Sequence, residues 1–441
     1  MSCSAGLCTP SAASAVLNAN DLETMLGSGN VEVTTTGSGI QADNIDVQAN
    51  VSWATPNTLT FDAYQSIAVA SPVAVASTGG LTLTTNDGGT GGTLSFGHKG
   101  NVTFQSLSSP LTINGAPYKL VNSVALLASA IDANPNGNYA LANSYDAGGD
   151  GTYTRSPVTK TVHGNVQGLG NVISNITVIG HGAIGGLFLS VGSQKLPGGT
   201  VANLGLENVY VESTGGHFKG EAGGMAVYNW GLLFDDHIGG HIISKTVAGG
   251  LVGSSNGTIE LSYATANVKG NHFTAGGLAG GNGPFGSISE SYSMGSVMGL
   301  GAGGLTASNY GKISNTYAIG KVTGKGTNAN VGGLVGGLNQ EGSVETSYST
   351  GEVGAKGAGA DIGGFIGIDD GLTNSATDCY WDITTSGTDR GTSEGNISGI
   401  TGLTTKQLQR KLPKGFDPSI WAQDKNINGG FPYLIANPPE N

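Results

Sequence analysis

Two adjacent carboxylates, Asp235 and Asp236, are residues whose types could do chemistry. Paired carboxyl groups perform acid–base hydrolysis, because one activates a water molecule while the other protonates the leaving oxygen. A histidine between two glycines, Gly180-His181-Gly182, lies earlier in the chain. Both segments consist of residue types that are common in tight turns without any catalytic role. We therefore expect turn residues at both places and no catalytic residue.

Two further groups of residues could bind a metal ion. His237 and His241 have the four-residue spacing of a helical zinc site, but the two glycines between them disfavour a helix and no glutamate base is present. We expect a surface insertion there. Asp146 and Asp150 could offer oxygen atoms to Ca²⁺, but their spacing does not match an EF-hand, and an ordinary Asp/Gly turn is favoured. No metal ion or cofactor is expected.

The charge of the chain argues against a nucleic-acid partner. Its 441 residues carry a formal net charge of −12, so most of the surface would repel a phosphate backbone. A basic cluster near the C-terminal end could contact an acidic partner, but a solvated helix face is favoured. This cluster consists of Lys406, Arg410, Lys411 and Lys414.

Cysteine and serine patterns indicate little chemistry. Cys3 and Cys8 are close enough in sequence for a possible disulfide, whereas Cys379 is distant from both. No Gly-x-Ser-x-Gly sequence lies between an expected strand and an expected helix, so no serine nucleophile is predicted. No run of about 18 apolar residues is present, so no transmembrane segment is expected.

A Gly-Gly-apolar triplet recurs through the second half of the chain at intervals of 26, 27, 27, 29 and 31 residues. A period of this length is typical of solenoids, in which each unit leaves an apolar face that its neighbour buries. We expect the glycine pairs at corners, where a side chain would collide with the next coil. The six triplets begin at Gly223, Gly249, Gly276, Gly303, Gly332 and Gly363.

Each unit continues through an alternating apolar and polar stretch, typical of a half-buried strand, to a Ser/Thr-Tyr dipeptide. Stacking in register predicts two columns of equivalent residues along the axis of the coils. The first column consists of Leu251, Leu278, Leu305 and Leu334. The second consists of Tyr263, Tyr292, Tyr317 and Tyr348.

The first half of the chain has a looser version of the same pattern. Apolar residues spaced by two are separated by glycine-rich turns, which predicts further coils, although this pattern alone also permits a β-sandwich. Ser123 precedes an expected helix over residues 124–131.

Two other helices are expected near the ends of the solenoid. Asn20 and Glu23 frame the start of a short helix, and Thr404 and Gln407 form a capping box for a helix that runs through Leu412. A solenoid must cover its open core and its unpaired strand edges, so we expect both helices to act as caps.

These patterns define the predicted fold class. The chain contains 78 glycines and only 11% charged residues, which suits short strands joined by tight turns. We predict an all-β fold, a right-handed parallel β-helix with short capping helices, the handedness being the usual one. The expected parts are an N-terminal cap (1–30), β-helix coils (31–122), a helix insertion with introducing coils (123–215), repeat coils (216–378) and a C-terminal cap (379–441).

The repeats resemble the GLUG motif of large bacterial exoproteins and adhesins. The best-preserved copy is GGLVGGLNQEGSVETSYSTGEV, from Gly332 to Val353. The upstream coils, with Val51-Ser52-Trp53 and Leu111-Thr112-Ile113, are similar to the β-helical part of filamentous haemagglutinin-like proteins. The resemblance implies a β-helix, export by two-partner secretion and a role at the cell surface.

The expected function is adhesion. We expect a secreted or cell-surface β-solenoid that mediates attachment to a host, a matrix or a neighbouring cell through its flank. The expected partners are a host or matrix glycan or protein, and an outer-membrane transporter if the chain belongs to a two-partner secretion system. Residues 1–30 contain no recognisable export signal, so the chain is either cytoplasmic or a piece of a longer exported protein, and we favour the second.

The alternative hypothesis is a carbohydrate-active β-helix enzyme, either a polysaccharide lyase or a hydrolase. Two carboxylates in one cleft would favour it. Against it, the histidine precedes the Asp pair, the reverse of the order in polygalacturonases, and the Asn-Thr-Asp and Arg-Ile-Lys segments of that family are absent. No enzymatic activity is therefore expected.

Overall fold

The computed structural model describes residues 1–180, 184–215, 220–339, 341–370, 375–395 and 397–439. Within these ranges the chain is nearly all-β, with about 13 turns of a parallel β-solenoid and three α-helices. The predicted all-β parallel solenoid is confirmed. None of the helices in the described ranges is long and apolar enough to cross a membrane.

One sheet of 16 strands, here called the long sheet, follows the solenoid from its first coil to its last. Its neighbouring strands are parallel and in register except at two antiparallel pairs on the N-terminal side. In order of pairing its strands are Ser2–Ser4, Leu7–Thr9, Val31–Thr34, Thr58–Asp62, Gly80–Thr84, Leu111–Ile113, Ala116–Val121, Asn138–Leu141, Asn165–Gln167, Thr200–Ala202, Leu232–Phe234, Thr258–Glu260, Ser287–Ser289, Lys312–Ser314, Ser343–Glu345 and Ala376–Thr377.

A second 16-stranded sheet, here called the tyrosine sheet, begins in the middle of the chain and is parallel throughout. Its strands are Tyr145–Asp146, Thr152–Tyr153, Val172–Ser174, Thr177–Gly180, Gly205–Ser213, His237–Ser244, Tyr263–Ala264, Asn267–Gly270, Tyr292–Ser293, Val297–Gly299, Tyr317–Ala318, Val322–Gly324, Tyr348–Ser349, Val353–Ala355, Cys379–Asp382 and Ile400–Leu403.

Two smaller parallel sheets complete the wall of the repeat coils. The first consists of Phe188–Val191, Ala226–Asn229, Val252–Ser255, Ala279–Asn282, Thr306–Asn309, Val335–Leu338 and Ile366–Asp369. The second consists of Ala222–Gly223, Val247–Gly249, Thr274–Gly276, Gly301–Gly303, Asn330–Gly332 and Asp361–Gly363.

The N-terminal coils are completed by two three-stranded parallel sheets, and two separate hairpins are antiparallel. The parallel sheets consist of Val51–Trp53, Val73–Val75 and Val102–Phe104, and of Ile45–Val47, Ile67–Val69 and Leu94–Phe96. The hairpins are Thr36–Gly37 with Ile40–Gln41, and Trp421–Ala422 with Tyr433–Leu434. Two 3-10 turns lie at Ala147–Gly149 and Asn428–Gly430.

The first two helices lie close to where they were predicted. The first, Ala19–Ser28, is capped by Asn18, whose side chain accepts the backbone N–H of Asn20, so it starts before the predicted frame at Asn20. Its Leu22 and Leu26 pack into the N-terminal core. The second helix, Val124–Ala133, begins directly after Ser123 as predicted.

The third helix is shorter than predicted. It spans Thr405–Leu408 and has the predicted capping box of Thr404 and Gln407, but it ends before Leu412. Leu412 precedes Pro413, and the residue before a proline is biased away from helical backbone angles. The capping residues therefore define the start of this helix, and the proline limits its length.

The predicted leucine column is confirmed. Its four residues are fully buried, and each successive pair is joined by a backbone hydrogen bond of 2.8 Å. The glycine pairs lie beside it at the corners. A Cβ atom on Gly277 would overlap the carbonyl oxygen of Gly304 and the hydroxyl of Ser293, so the corner has no room for a side chain.

Candidate functional site

Strands of the long sheet in the repeat coils are followed by a corner residue with left-handed backbone angles. Non-glycine residues seldom adopt these angles, and Asn and Asp tolerate them best. Asp235 is one of these corner residues and is partly exposed, whereas the next residue, Asp236, is fully buried. The corner residues, with φ from 42° to 57°, are Asn203, Asp235, Leu261, Glu290, Asn315, Thr346 and Asp378.

Asp236 belongs to a buried column at this corner, here called the hydroxyl column. The column continues with Ser262, Ser291, Thr316 and Ser347. Oδ1 of Asp236 accepts the N–H of Leu204 at 3.0 Å, and Oγ of Ser262 accepts the N–H of Asp236 at 3.1 Å. The hydroxyls of Ser262, Ser291 and Ser347 each accept a buried backbone N–H in this way, which explains the hydroxyl residue of their Ser-Tyr dipeptides.

The two adjacent carboxyl groups therefore occupy different environments. Asp236 lies in the interior, where burial raises the pKa of its carboxyl group well above the usual value. Asp235 faces a groove on the flank. The pair does not converge on one reacting centre. Both residues lie at the corner between the strands Leu232–Phe234 and His237–Ser244, and Asp236 is buried there. His181 of the Gly180-His181-Gly182 segment lies outside the described residues.

The segment that contains His237 and His241 is part of the tyrosine sheet. It forms the strand His237–Ser244, so the predicted surface insertion is wrong. Ile238 and Ile242 on this strand are fully buried, and their burial fixes the segment in the wall of the solenoid despite its two glycines. His241 is exposed, whereas the ring of His237 stacks on Tyr263 with the ring centroids 5.1 Å apart.

The predicted tyrosine column is confirmed. The rings of Tyr263, Tyr292, Tyr317 and Tyr348 are stacked with successive centroid separations of 4.9, 4.6 and 5.2 Å. Neighbouring ring planes differ by at most 7°. The spacing equals the distance between adjacent strands of a sheet, so the stack follows directly from the register of the coils.

Residues 404–439, here called the C-terminal segment, lie against the flank and cover the tyrosine column. Phe416, Trp421 and Leu434 are buried in the same apolar cluster as the column. The ring of Trp421 contacts Tyr317 and Tyr348 at centroid distances of 6.1 and 5.9 Å. This segment was predicted to cap the end of the solenoid, but its aromatic contacts are with the flank.

Hydrogen bonds fix the C-terminal segment on the column. The hydroxyl of Tyr348 donates to the carbonyl oxygen of Pro432 at 2.6 Å, and Nε1 of Trp421 donates to Oδ1 of Asn315 at 3.1 Å. Farther along, Nδ2 of Asn437 donates to the carbonyl oxygen of Glu290 at 3.1 Å. The segment thus runs back along the solenoid from its C-terminal coils towards Tyr263.

Next to Asn437, a cavity of 270 Å³ lies at the corner, which we call the flank groove. One wall consists of residues 95–98 and 100 from the N-terminal coils, and residues 436–438 form the opposite end. Its floor continues the corner through Gly170, Asn203 and Asp235 to His237. Side chains from successive coils therefore converge in one concave site.

The carboxyl group of Asp235 in the flank groove has a perturbed pKa. Burial raises the pKa of its carboxyl group to about 7, although a hydrogen bond from the backbone of Phe96 lowers it. Glu207, His98 and His237 line the same groove. A carboxyl group with a perturbed pKa in a cleft is a functional-site candidate on physical grounds.

A larger cavity of 600 Å³ lies at the N-terminal end, between residues 10–19 and the strand Ile45–Val47. Its acidic side chains, Asp43 and Asp46, are exposed, so solvent screens them. The flank groove encloses its carboxyl group more closely and is the better candidate.

Asp146 and Asp150 are occupied by contacts within the protein. Asp146 accepts the N–H of Gly148 at 2.9 Å and the amide of Asn175 at 2.8 Å, and it caps a 3-10 turn. Asp150 accepts hydrogen bonds from the hydroxyls of Tyr145 and Tyr153. In the described ranges no group of three or more His, Cys, Asp or Glu residues could hold a metal ion.

The basic cluster of Lys406, Arg410, Lys411 and Lys414 is exposed on the C-terminal segment. Sequence reasoning missed the flank groove and the role of Asp235 in it. A signal was present, because the Asp236-His237 dipeptide aligns with Ser262-Tyr263 and would have placed Asp235 at the preceding corner.

No family model matches this chain, and no curated protein matches it. A solved structure described as a "putative immunoglobulin A1 protease" from Bacteroides ovatus is similar, with 18% sequence identity over 73% of this chain and 92% of that chain. The TM-score is 0.39, so this likeness carries no argument about fold or function. The β-solenoid fold is established by the structure of this chain and not by that likeness. The resemblance to GLUG and haemagglutinin-like proteins stays a prediction.

Proposed function

We propose that this chain is a secreted or cell-surface adhesive β-solenoid that binds a glycan or protein of a host, a matrix or a neighbouring cell in its flank groove. The observation that carries the proposal is the enclosed Asp235 carboxyl group in a concave site on an otherwise regular flank. A rigid rod with one lateral recognition site is suited to attachment.

The groove is held rigidly by the coils that form it. The backbone N–H of Asn203 donates to the carbonyl oxygen of Phe234, and that of Asp235 donates to Glu260, each at 3.0 Å or less. Binding to a pre-formed site avoids the loss of conformational entropy that a flexible loop would suffer.

Export is supported by the disulfide between Cys3 and Cys8, which joins the two strands of the first hairpin. Disulfides persist in oxidising compartments such as the periplasm and the cell exterior. Two-partner secretion and an outer-membrane transporter remain part of the proposal on the sequence resemblance alone.

Binding of the purified chain to an array of glycans and matrix proteins tests the proposal. We expect at least one class of ligand to bind the native chain, and the variant Asp235→Asn to bind it at least tenfold more weakly. Asp132→Asn, which replaces an exposed residue of the second helix, is the matched control and should bind the ligand as tightly as the native chain does. Equal binding by all three proteins would refute the assignment of the groove.

A carbohydrate-active enzyme is the second candidate, because Glu207 and Asp235 line the same groove and a raised carboxyl pKa is typical of a general acid. Incubation with polysaccharides followed by a reducing-end assay tests it. Reducing ends that appear with the native chain and disappear with Glu207→Gln would establish cleavage of glycosidic bonds. Bound glycan without new reducing ends would favour adhesion.

A further inference from the structure

We propose that the flank groove recognises a sugar that carries a free, protonated amine. This inference rests on the proposed binding role of the groove and names the chemical class of its ligand. It is carried by the charge of the groove lining, by the amide side chains beside the carboxyl groups and by the size of the cavity.

The lining of the groove favours a cation. Two carboxyl groups line it, that of Asp235, which is partly buried, and that of Glu207, which is exposed. His98 and His237 line it too, but no Lys or Arg is among the described residues that do so. Opposite charges attract more strongly in a partly enclosed site than in bulk water. The ring of Phe96 on the wall adds an aromatic face, which also attracts cations.

Amide groups in the groove fit the hydroxyls of a sugar. Asn203 is only 4% exposed, and its Nδ2 donates to Oε1 of Gln167 at 2.9 Å. Its Oδ1 has no hydrogen-bond partner among the described residues, although such buried acceptors are normally satisfied. Asn437 offers a second amide at the other end of the groove.

The volume of the groove limits the ligand. At 270 Å³ it lies just below the usual range for small-molecule sites, which is about 300–1,000 Å³. One sugar ring with its amine is therefore bound within the groove. The remaining rings of an oligosaccharide extend out of the groove along the flank.

Binding of an ammonium group should release a proton. In the free protein at pH 6.5 the carboxyl group of Asp235 is mostly protonated, because its pKa is raised to about 7. An adjacent ammonium favours the carboxylate, so the proton passes to the buffer as the ion pair forms. Glu207, His98 and His237 also line the groove, and Asp236 lies behind it, so the proton count must be compared with that of a variant at Asp235.

Calorimetric titration of the full chain at pH 6.5, in two buffers with different heats of ionisation, tests the inference. The probes are a glucosamine tetrasaccharide and its N-acetylated counterpart. We expect the amine form to bind at least tenfold more tightly and to release between half a proton and one proton. Asp235→Asn should lose both the preference and the proton release, and Asp132→Asn should keep both.

Three results would overturn the inference. These are equal affinity for the two tetrasaccharides, binding of the amine without proton release, or an unchanged preference in Asp235→Asn. Failure of both tetrasaccharides to bind, while another ligand on the array still depends on Asp235, would overturn the amino-sugar assignment and leave the proposed function standing. Failure of every array ligand would overturn the proposed function itself.

Discussion

At the scale of single residues, the hydroxyl column shows how one position is used differently in successive coils. Asp236 stands where the following coils have serine or threonine, and its Oδ2 has no hydrogen-bond partner among the described residues. An unsatisfied buried polar atom costs about 1–3 kcal/mol. The carboxyl group at this position is therefore a local source of instability.

Replacing Asp236 with serine should stabilise the protein. At pH 7 we expect Asp236→Ser to raise the free energy of unfolding by about 1–3 kcal/mol, because Ser fits the column without a buried carboxyl group. The folded pKa is raised, so the gain should shrink as the pH falls towards about 4. Urea denaturation at pH 7 and pH 4 measures it, and a less stable variant at pH 7 would contradict this account of the column.

Asp235 should make the stability of the folded chain depend on pH between about pH 4 and pH 7. Its carboxyl pKa is about 7 in the folded chain and about 3.9 in the unfolded chain, so the folded state loses stability as the pH rises from about 4 to about 7. Asparagine tolerates the left-handed corner, as Asn203 and Asn315 do. Asp235→Asn should therefore melt at a higher temperature than the native chain above pH 7 and at a similar temperature near pH 4. A difference in melting temperature that does not change with pH would count against the enclosed carboxyl group.

At the scale of elements, the tyrosine column offers a matched pair of substitutions. The hydroxyl of Tyr348 donates to Pro432 and accepts from Nδ2 of Asn428, whereas the hydroxyl of Tyr317 has no hydrogen-bond partner among the described residues. We expect Tyr348→Phe to lower the free energy of unfolding by about 1–2 kcal/mol and Tyr317→Phe to leave it unchanged or raise it by up to about 1 kcal/mol. Chemical denaturation measures both, and the reverse order would mean that the C-terminal segment is not fixed on Tyr348.

A glycine at a corner, Gly277, and a glycine within the strand Val353–Ala355, Gly354, offer a second matched pair. A Cβ atom on Gly277 would overlap the carbonyl oxygen of Gly304, whereas a Cβ atom on Gly354 would meet no atom within 4 Å. We expect Gly277→Ala to destabilise the protein by about 1–3 kcal/mol, and Gly354→Ala to change its stability by less than about 0.5 kcal/mol. Thermal unfolding compares them. Similar effects from both would show that the corner has more room than the coils imply.

The sequence predicted those elements whose contacts repeat from one coil to the next. The leucine and tyrosine columns follow from the repeat, because equivalent residues in stacked coils must lie one strand spacing apart. The strand His237–Ser244 was missed because the two glycines in it disfavour a helix, and a surface insertion was expected instead. Its alternating Ile238 and Ile242 were the stronger signal, since both are buried.

At the scale of the whole molecule, the return of the C-terminal segment could not be predicted from the sequence. Its contacts join residues far apart in the chain, such as Trp421 and Asn315, and they occur once, so no period reveals them. The flank groove depends on them, because residues 436–438 form one of its ends. The sequence therefore identified candidate site residues by their chemical type. It could not show that they converge in one groove, because the convergence depends on the packing of segments that are distant in the chain.

The central claim is that the coils stack in register along one axis, and distances between spin labels test it most directly. A label at position 138 is paired in turn with labels at 287, 312 and 343, which lie five, six and seven strands away in the long sheet. Cys379 is buried, with its pKa raised to about 12, and should not react with the label. Pulsed electron paramagnetic resonance should give separations of about 24, 29 and 34 Å, rising by one strand spacing each time. Separations that do not increase in that order, or that do not grow by a constant step, would contradict the stacked coils and the groove that depends on them.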